Sequence, residues 1–248
     1  MMNPFTTIPA FLKVLGEINT FNRLAPQLEK ARAEEDYRKE REIILKGTSE
    51  FADRITEKLG FTVTILGEEN IPDEGPVFII ANHQSFADIY AIYYAIRKFQ
   101  LGFIAKSEFE GFKPLATAIN YTRSVFIKRG DAREAVELMR TTTGMLRNGF
   151  TLAVFPEGTR SRGADMAEFK PGSFKFAQKA KVPILPISLE GGYHLWEEKG
   201  SYQKTHIKVK IHPLVHYEQM DRKQQLAANA EIEETIRKGL EELRALPD

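Results

Sequence analysis

The sequence predicts an α/β fold: a mainly parallel sheet flanked by helices, preceded by an N-terminal helical pair. From Phe61 onward, short apolar runs alternate with stretches of helical periodicity, the pattern of a parallel α/β layer. Before Phe61 the apolar residues recur every three or four positions instead. The composition, 42% hydrophobic with 17 Phe and 28% charged, is that of a chain with a real core and an ordinary surface. The change of texture divides the chain into residues 1–60, the helical pair, and residues 61–248, an α/β unit with a C-terminal helix.

In the first part, Phe5, Ile8, Phe11, Leu12, Leu15, Ile18 and Phe21 form one broad apolar helix face, with Lys13 and Glu17 marking its polar side. Pro26 interrupts, and a second helix follows, dense in charge from Glu29 to Glu42. Glu34 with Arg38, and Glu35 with Lys39, stand four apart, the spacing of ion pairs on a solvated helix. This helix turns apolar through Phe51, Ile55 and Leu59, and Gly60 closes it. Strands are then expected at Phe61–Leu66, Val77–Ala81, Leu101–Ala105, Val125–Ile127, Leu152–Phe155, Ile184–Leu189 and Ile207–Ile211. Helices are expected near Phe86–Lys98, Pro114–Asn120, Ala132–Arg147 and Pro171–Lys179. A last helix, Asp221 to Leu246, carries Ile232, Ile236, Leu240 and Leu243 on one stripe.

The 35 Lys and Arg against 34 Asp and Glu leave a net charge of +1, which argues against wholesale nucleic-acid binding. The absence of cysteine excludes disulfides, thiolate nucleophiles and Cys-based zinc sites. The longest uncharged stretch, Gly75 to Ala87, has 13 residues. That is short of the roughly 20 apolar residues of a spanning helix. No basic leader precedes Lys13, so no secretory signal is expected. Gly-x-Ser-x-Gly, Gly-x-x-x-x-Gly-Lys-Ser/Thr and Gly-x-Gly-x-x-Gly are all absent. His212 and His216 flank Pro213 in a strand-like context, so no zinc pair and no metal are expected.

Ligands of open parallel sheets sit beyond the carboxyl ends of the strands. Asn82-His83 and Asp88 follow the second strand, Lys106 the third, Lys128-Arg129 the fourth, and Pro156-Glu157-Gly158-Thr159-Arg160 the fifth. If these strands are parallel, a histidine, a carboxylate and several cations meet on one edge. Five residues turn a helix by about 140°, so His83 and Asp88 pair only if His83 lies on the turn before the helix. The carboxylate would then orient the imidazole and leave its other nitrogen as a base. The competing reading is a capping box, with Ser85 three residues before Asp88. From Leu101 to Lys181, 14 Lys and Arg face 8 Asp and Glu, an excess of six that suits an anionic ligand. Arg129 and Arg160 on post-strand turns suit phosphate oxygens, the alternative being charged turns that are merely solvated.

Together these segments resemble the glycerolipid acyltransferase family. Asn82-His83 with Asp88 matches its first block, NHxxxxD, and Phe155 to Ser161 is its third, FPEGTRS. Phe126-Ile127-Lys128-Arg129 matches the second block and Val182 to Ile187 the fourth, all in the family's order between about residues 75 and 190. The second block departs in one respect: the usual Gly six residues before its Arg is Arg123 here. The resemblance implies transfer of a fatty-acyl group from a thioester of acyl carrier protein or coenzyme A. The acceptor would be the sn-2 hydroxyl of 1-acyl-glycerol 3-phosphate (lysophosphatidic acid), with no acyl-enzyme and no cofactor. It makes His83 the general base and Asp88 its orienting partner. Lys106, Arg129 and Arg160 become phosphate ligands, Glu157, Gly158 and Thr159 the turn against the glycerol, and block four the wall of the acyl channel. Glycerol 3-phosphate or another lysophospholipid remains open as acceptor. So do a thioesterase and a non-catalytic lipid-binding protein. A membrane substrate without a spanning helix also implies a monotopic enzyme on the cytoplasmic face, its N-terminal helix lying in one leaflet against membrane lipid.

Overall fold

The computed structural model describes residues 4–127 and 132–247. Its elements run α1 (Pro4–Asn22), α2 (Ala25–Ala33), α3 (Tyr37–Leu59), β1 (Thr62–Leu66), β2 (Phe78–Ala81), α4 (Ala87–Ala95), β3 (Leu101–Lys106) and α5 (Lys113–Tyr121). They continue with β4 (Val125–Ile127), α6 (Ala132–Arg147), β5 (Thr151–Val154), α7 (Lys175–Ala180), β6 (Ile184–Glu190), β7 (His206–Ile211) and α8 (Arg222–Ala245). Among the described residues the strands form a single sheet in the order β1-β7-β6-β2-β5-β3-β4. Every neighbouring pair is parallel except β6 with β7.

Period-two alternation divides each central strand between two cores. Ile79, Ala81, Ala153, Leu185 and Ile187 face one side, and Phe78, Ile80, Leu152, Val154 and Ile184 the other. β2 sits between β5 and β6 and is buried along its whole length, as a strand covered on both faces must be. Because β2, β5, β3 and β4 are adjacent and parallel, their carboxyl ends open on one edge.

The helical pair consists of a first arm, α1 with α2, bent at residues 22–25, and a second arm, α3. The break between the arms lies at residues 34–36, inside the stretch read as one charged helix. Glu35 takes φ 52° and the Asp36 side chain accepts from the Lys39 amide, starting α3 afresh. The predicted pairs therefore straddle a turn and do not form. Lys30 meets Glu34, and Arg38 and Lys39 meet Glu42.

Of the two residues marking the polar side of α1, Lys13 is exposed but Glu17 is not. Glu17 is buried against α3, where it accepts from Arg54 at 2.5 Å and pairs with Lys58. Ala10, Val14 and Ile18 enter the core shared with the sheet and Phe21 is buried against Gly47 of α3, while Ile8, Phe11 and Leu12 stay more than half exposed. Gly47 on α3 lets the two arms cross closely, since a β-carbon there would collide with Phe21 and Leu24.

The departure at Arg123 has a structural counterpart. Arg123 adopts φ 60°, a conformation that favours glycine, and its guanidinium clasps the fully buried Glu40 of α3 with two bonds of 2.7 Å. Arg32 of α2 completes the cluster at 2.5 Å. The turn into β4 is thereby tied to both arms.

Candidate active site

Asn82 ends β2 by bonding both the amide and the carbonyl of Leu189 on β6, each at 2.8 Å, which fixes the turn that follows. His83 lies on that turn, ahead of α4, the placement that lets Asp88 reach back. Its Nδ1 meets Asp88 Oδ2 at 2.8 Å, and its ring stacks on Phe155 with centroids 3.8 Å apart. The same Oδ2 accepts the amides of Gln84 at 2.7 Å and Ser85 at 2.8 Å. The pairing and capping roles of Asp88 are therefore filled by one oxygen of a fully buried carboxylate. In the neutral ring, a carboxylate on Nδ1 favours the tautomer with its hydrogen there and Nε2 as the acceptor nitrogen.

The third block folds against this turn. Ser161 N–H donates to the His83 carbonyl at 2.8 Å and Arg162 N–H to the Gln84 carbonyl at 3.2 Å. Glu157 points inward. Its Oε1 accepts the His83 amide at 2.6 Å and its Oε2 the Ala167 amide at 2.9 Å. Burial pushes its carboxyl up to about 7, outweighing the two amide bonds that favour the charged form. Its geometry is that of a residue shaping the turn beneath the histidine. Gly158 takes φ 71°, a left-handed turn that a side chain would strain, and Thr159 is exposed on the cavity.

Arg160 also lines the cavity, with its guanidinium 3.6 Å from the centroid of the Phe86 ring and its Nη1 on Glu197 at 2.7 Å. Lys106, at the end of β3, reaches the same cavity and has no ion pair among the described residues. Arg129 lies outside the described residues. The structure thus brings His83, Asp88, Lys106, Glu157, Gly158, Thr159 and Arg160 to one edge. Glu197, which joins Arg160 to the histidine turn, was not legible. It sits in a loop of mixed charge that has no spacing signal.

The cavity above His83 measures about 2180 Å³. It is lined by apolar residues such as Ile18, Tyr90, Phe103, Phe112 and Leu115, and by the cations Arg140, Lys175 and Lys179. Block four does not line it. Residues 182–187 enter the interior strand β6, whose side chains are buried in the two cores, so they support the sheet rather than an acyl channel. Among the described residues, no helix is long and apolar enough to cross a membrane. None of their His, Asp and Glu side chains gather in a group of three that could hold a metal ion.

Such an edge combines a carboxylate-paired histidine, cationic side chains and a large, partly apolar cavity. A 1-acyl-sn-glycerol-3-phosphate acyltransferase of Chlamydomonas reinhardtii is 39% identical over 132 residues, 53% of this chain and 39% of that protein. A Saccharomyces cerevisiae protein of the same name is 36% identical over 134 residues, 52% of this chain and 43% of that one. The matches span between 39% and 62% of the length of the curated relatives. The crystal structure of a 1-acyl-sn-glycerophosphate acyltransferase from Thermotoga maritima superposes with a TM-score of 0.72 at 27% identity, covering 97% of this chain and 99% of that one. The acyltransferase family model matches residues 62–190, a little over half of the chain and the segment that holds His83, Asp88, Glu157 and Arg160, so the chain belongs to the acyltransferase family.

Proposed function

We propose that this protein transfers a fatty-acyl group from an acyl thioester to the sn-2 hydroxyl of 1-acyl-glycerol 3-phosphate, giving phosphatidic acid. The observation that carries the reading is His83, its Nδ1 on a buried carboxylate and its ring on the wall of a large, partly apolar cavity. Nε2 takes the proton of the acceptor hydroxyl as the oxygen attacks the thioester carbonyl. The tetrahedral intermediate then collapses, the C–S bond breaks, and the imidazolium returns its proton to the departing thiolate. Asp88 stabilises the imidazolium between these steps. Ser85 lies close by but is fully buried, and its hydroxyl donates to Glu197 at 2.7 Å, which supports direct transfer over an acyl-enzyme. Arg160, Lys106 and Arg129 hold the acceptor phosphate, and Gly158 and Thr159 face the glycerol. The donor is a thioester of acyl carrier protein or coenzyme A.

The enzyme works from the cytoplasmic face of a membrane as a monotopic protein. Ile8, Phe11 and Leu12 project from α1 beside the half-exposed Phe112, and Ile8, Phe11 and Phe112 also line the cavity, so a bilayer under this patch would open onto the acceptor's path. Changing Ile8, Phe11 and Leu12 together to Ser should weaken binding to anionic vesicles by roughly a hundredfold, at about 1 kcal/mol for each half-exposed side chain. Undiminished flotation with vesicles would refute the docking surface.

The reaction is tested on vesicles carrying lysophosphatidic acid. Wild type should form phosphatidic acid, and His83→Ala should lose about 10²- to 10⁴-fold in rate, the contribution of one general base. Free fatty acid released without acceptor would instead identify a thioesterase. An active His83→Ala would remove the mechanism.

A further inference from the structure

Glu197 lies outside the four sequence blocks and beyond the segment matched by the family model, in the connection between β6 and β7. Its side chain is only 6% exposed, and its hydrogen bonds go to residues of the site. Oε2 accepts the Ser85 hydroxyl at 2.7 Å, while Oε1 accepts Arg160 Nη1 at 2.7 Å and, more weakly, the Phe86 amide at 3.4 Å. One carboxylate therefore joins the turn ahead of α4, where Asp88 accepts the Gln84 and Ser85 amides, to the third-block arginine. The Phe86 ring closes the other side of the guanidinium. Apart from Nη1, the guanidinium donors of Arg160 make no hydrogen bond among the described residues.

We propose that Glu197 is a positioning residue for the acceptor. It holds Arg160 flat on Phe86 with one guanidinium edge turned to the cavity, so that an incoming phosphate meets an arginine whose rotamer is already fixed. The inference rests on the acyl-transfer reading above and adds to it the residue that sets acceptor affinity. A free arginine loses its rotamer freedom when it closes on a phosphate, and prior immobilisation removes that cost from binding. The carboxylate of Glu197 opposes the phosphate charge. Geometry and charge therefore act in opposite directions and can be separated by substitution.

Glu197→Asp keeps the charge and shortens the reach by one methylene, so it cannot span Ser85 and Arg160 together. Glu197→Gln keeps the reach, accepting from Arg160 and donating to Ser85, and removes the charge. Steady-state rates with the full-length protein give separate KM values for lysophosphatidic acid and for the acyl thioester, and equilibrium binding of glycerol 3-phosphate is measured in parallel. The expected result is an acceptor KM raised about three- to tenfold in Glu197→Asp, the cost of one immobilised side chain. The rise in Glu197→Gln is smaller, and the thioester KM is unmoved in both. In an Arg160→Ala background, Glu197→Asp should add no more than about twofold, because the two residues act as a unit. An unchanged acceptor KM in Glu197→Asp overturns the proposal. So does a rise at least as large in Glu197→Gln, which would make the charge decisive. A loss shared by both KM values, or one that persists without Arg160, marks a merely structural role and also overturns it. If wild type forms no phosphatidic acid, the acyl-transfer reading fails by itself, and weakening of glycerol 3-phosphate binding in Glu197→Asp alone still decides for or against Glu197.

Discussion

Replacing Asp88 by Asn separates the charge of this carboxylate from its hydrogen bonds. Oδ2 receives three donors, the ring nitrogen of His83 at 2.8 Å and the amides of Gln84 and Ser85 at 2.7 and 2.8 Å. An Asn oxygen in that place still accepts the two amides, so the turn ahead of α4 is retained. The imidazolium formed as His83 takes the acceptor's proton, however, loses its counter-charge. Two unit charges about 4 Å apart at an effective dielectric near 20 attract by about 4 kcal/mol, equivalent to about a thousandfold in rate. The new amide nitrogen must occupy the place of Oδ1, a buried atom without a hydrogen-bond partner, pressed so closely on Gly192 that a β-carbon there would collide with it. An unpartnered buried N–H group costs about 1–3 kcal/mol, so the melting temperature should fall by a few degrees while the protein stays folded. The assay is acyl transfer to vesicle-borne lysophosphatidic acid, with kcat compared between wild type and Asp88→Asn at a temperature where both are folded. The expected loss is about 10³-fold in kcat with little change in acceptor KM. A kcat within tenfold of wild type would show that Asp88 only caps the turn, and the general-base reading of His83 would lose its main support.

Two further predictions concern stability. Glu40→Ala removes the carboxylate between Arg32 and Arg123, whose side chains are 25% and 23% exposed. Water then reaches the stranded guanidiniums, so the cost is put at about 2–3 kcal/mol, below that of a fully buried pair, and the melting temperature should fall by roughly 4–10 °C. A shift under two degrees would mean that the arms are held by apolar packing alone. The other concerns pH. Glu157, pushed up to about 7 by burial, keeps a proton in the folded state that the unfolded chain gives up near 4.5. It therefore stabilises the fold below that value, and the contribution is lost as pH rises through about 7. His212, pushed down to about 4 by burial, contributes above 6.5, and its contribution is lost as pH falls through about 4. The two slopes oppose each other by up to about 3 kcal/mol each, so in urea unfolding Glu157→Gln should lose stability more steeply than wild type between pH 6.5 and 4.5. Parallel pH profiles would refute the raised carboxyl.

Strands were legible because each is a short apolar run bounded by turn residues. The β4 segment Val125–Ile127 matches its expected limits, and the others differ by a residue or so. The placement of the candidate site was legible for the same reason. Its residues follow strand ends, and the parallel order of β2, β5, β3 and β4 turns proximity to strand ends into proximity in space. Two features defeated local reading. At residues 34–36 the charge spacing suits an unbroken helix, but Glu35 turns to φ 52° and the Asp36 side chain takes the Lys39 amide to start α3 afresh. In block four, apolar residues compatible with an acyl channel fit an interior strand equally well, and Val182 to Ile187 became the latter. Glu157 had a motif to mark it, but no spacing told that both its oxygens would be taken by backbone amides.

What a motif reading misses most is the carboxylate that acts from a distance in sequence. Glu17 binds Arg54 and Lys58 across α1 and α3, Glu40 gathers Arg32 and Arg123, and Glu197 gathers Ser85 and Arg160. Each is nearly inaccessible, and each ends on a cation from a different element. A buried ion pair contributes little net stability compared with apolar packing, but breaking one is costly, so such pairs fix relative placement more than they stabilise. Here they act in series. Glu17 locks α1 to α3, Glu40 locks α2 and α3 to the turn entering the second block, and Glu197 locks the third-block arginine to the histidine turn. A helix that touched a bilayer through Ile8, Phe11 and Leu12 would therefore carry the mouth of the cavity with it as one body, because none of these joints can open without stranding a buried charge.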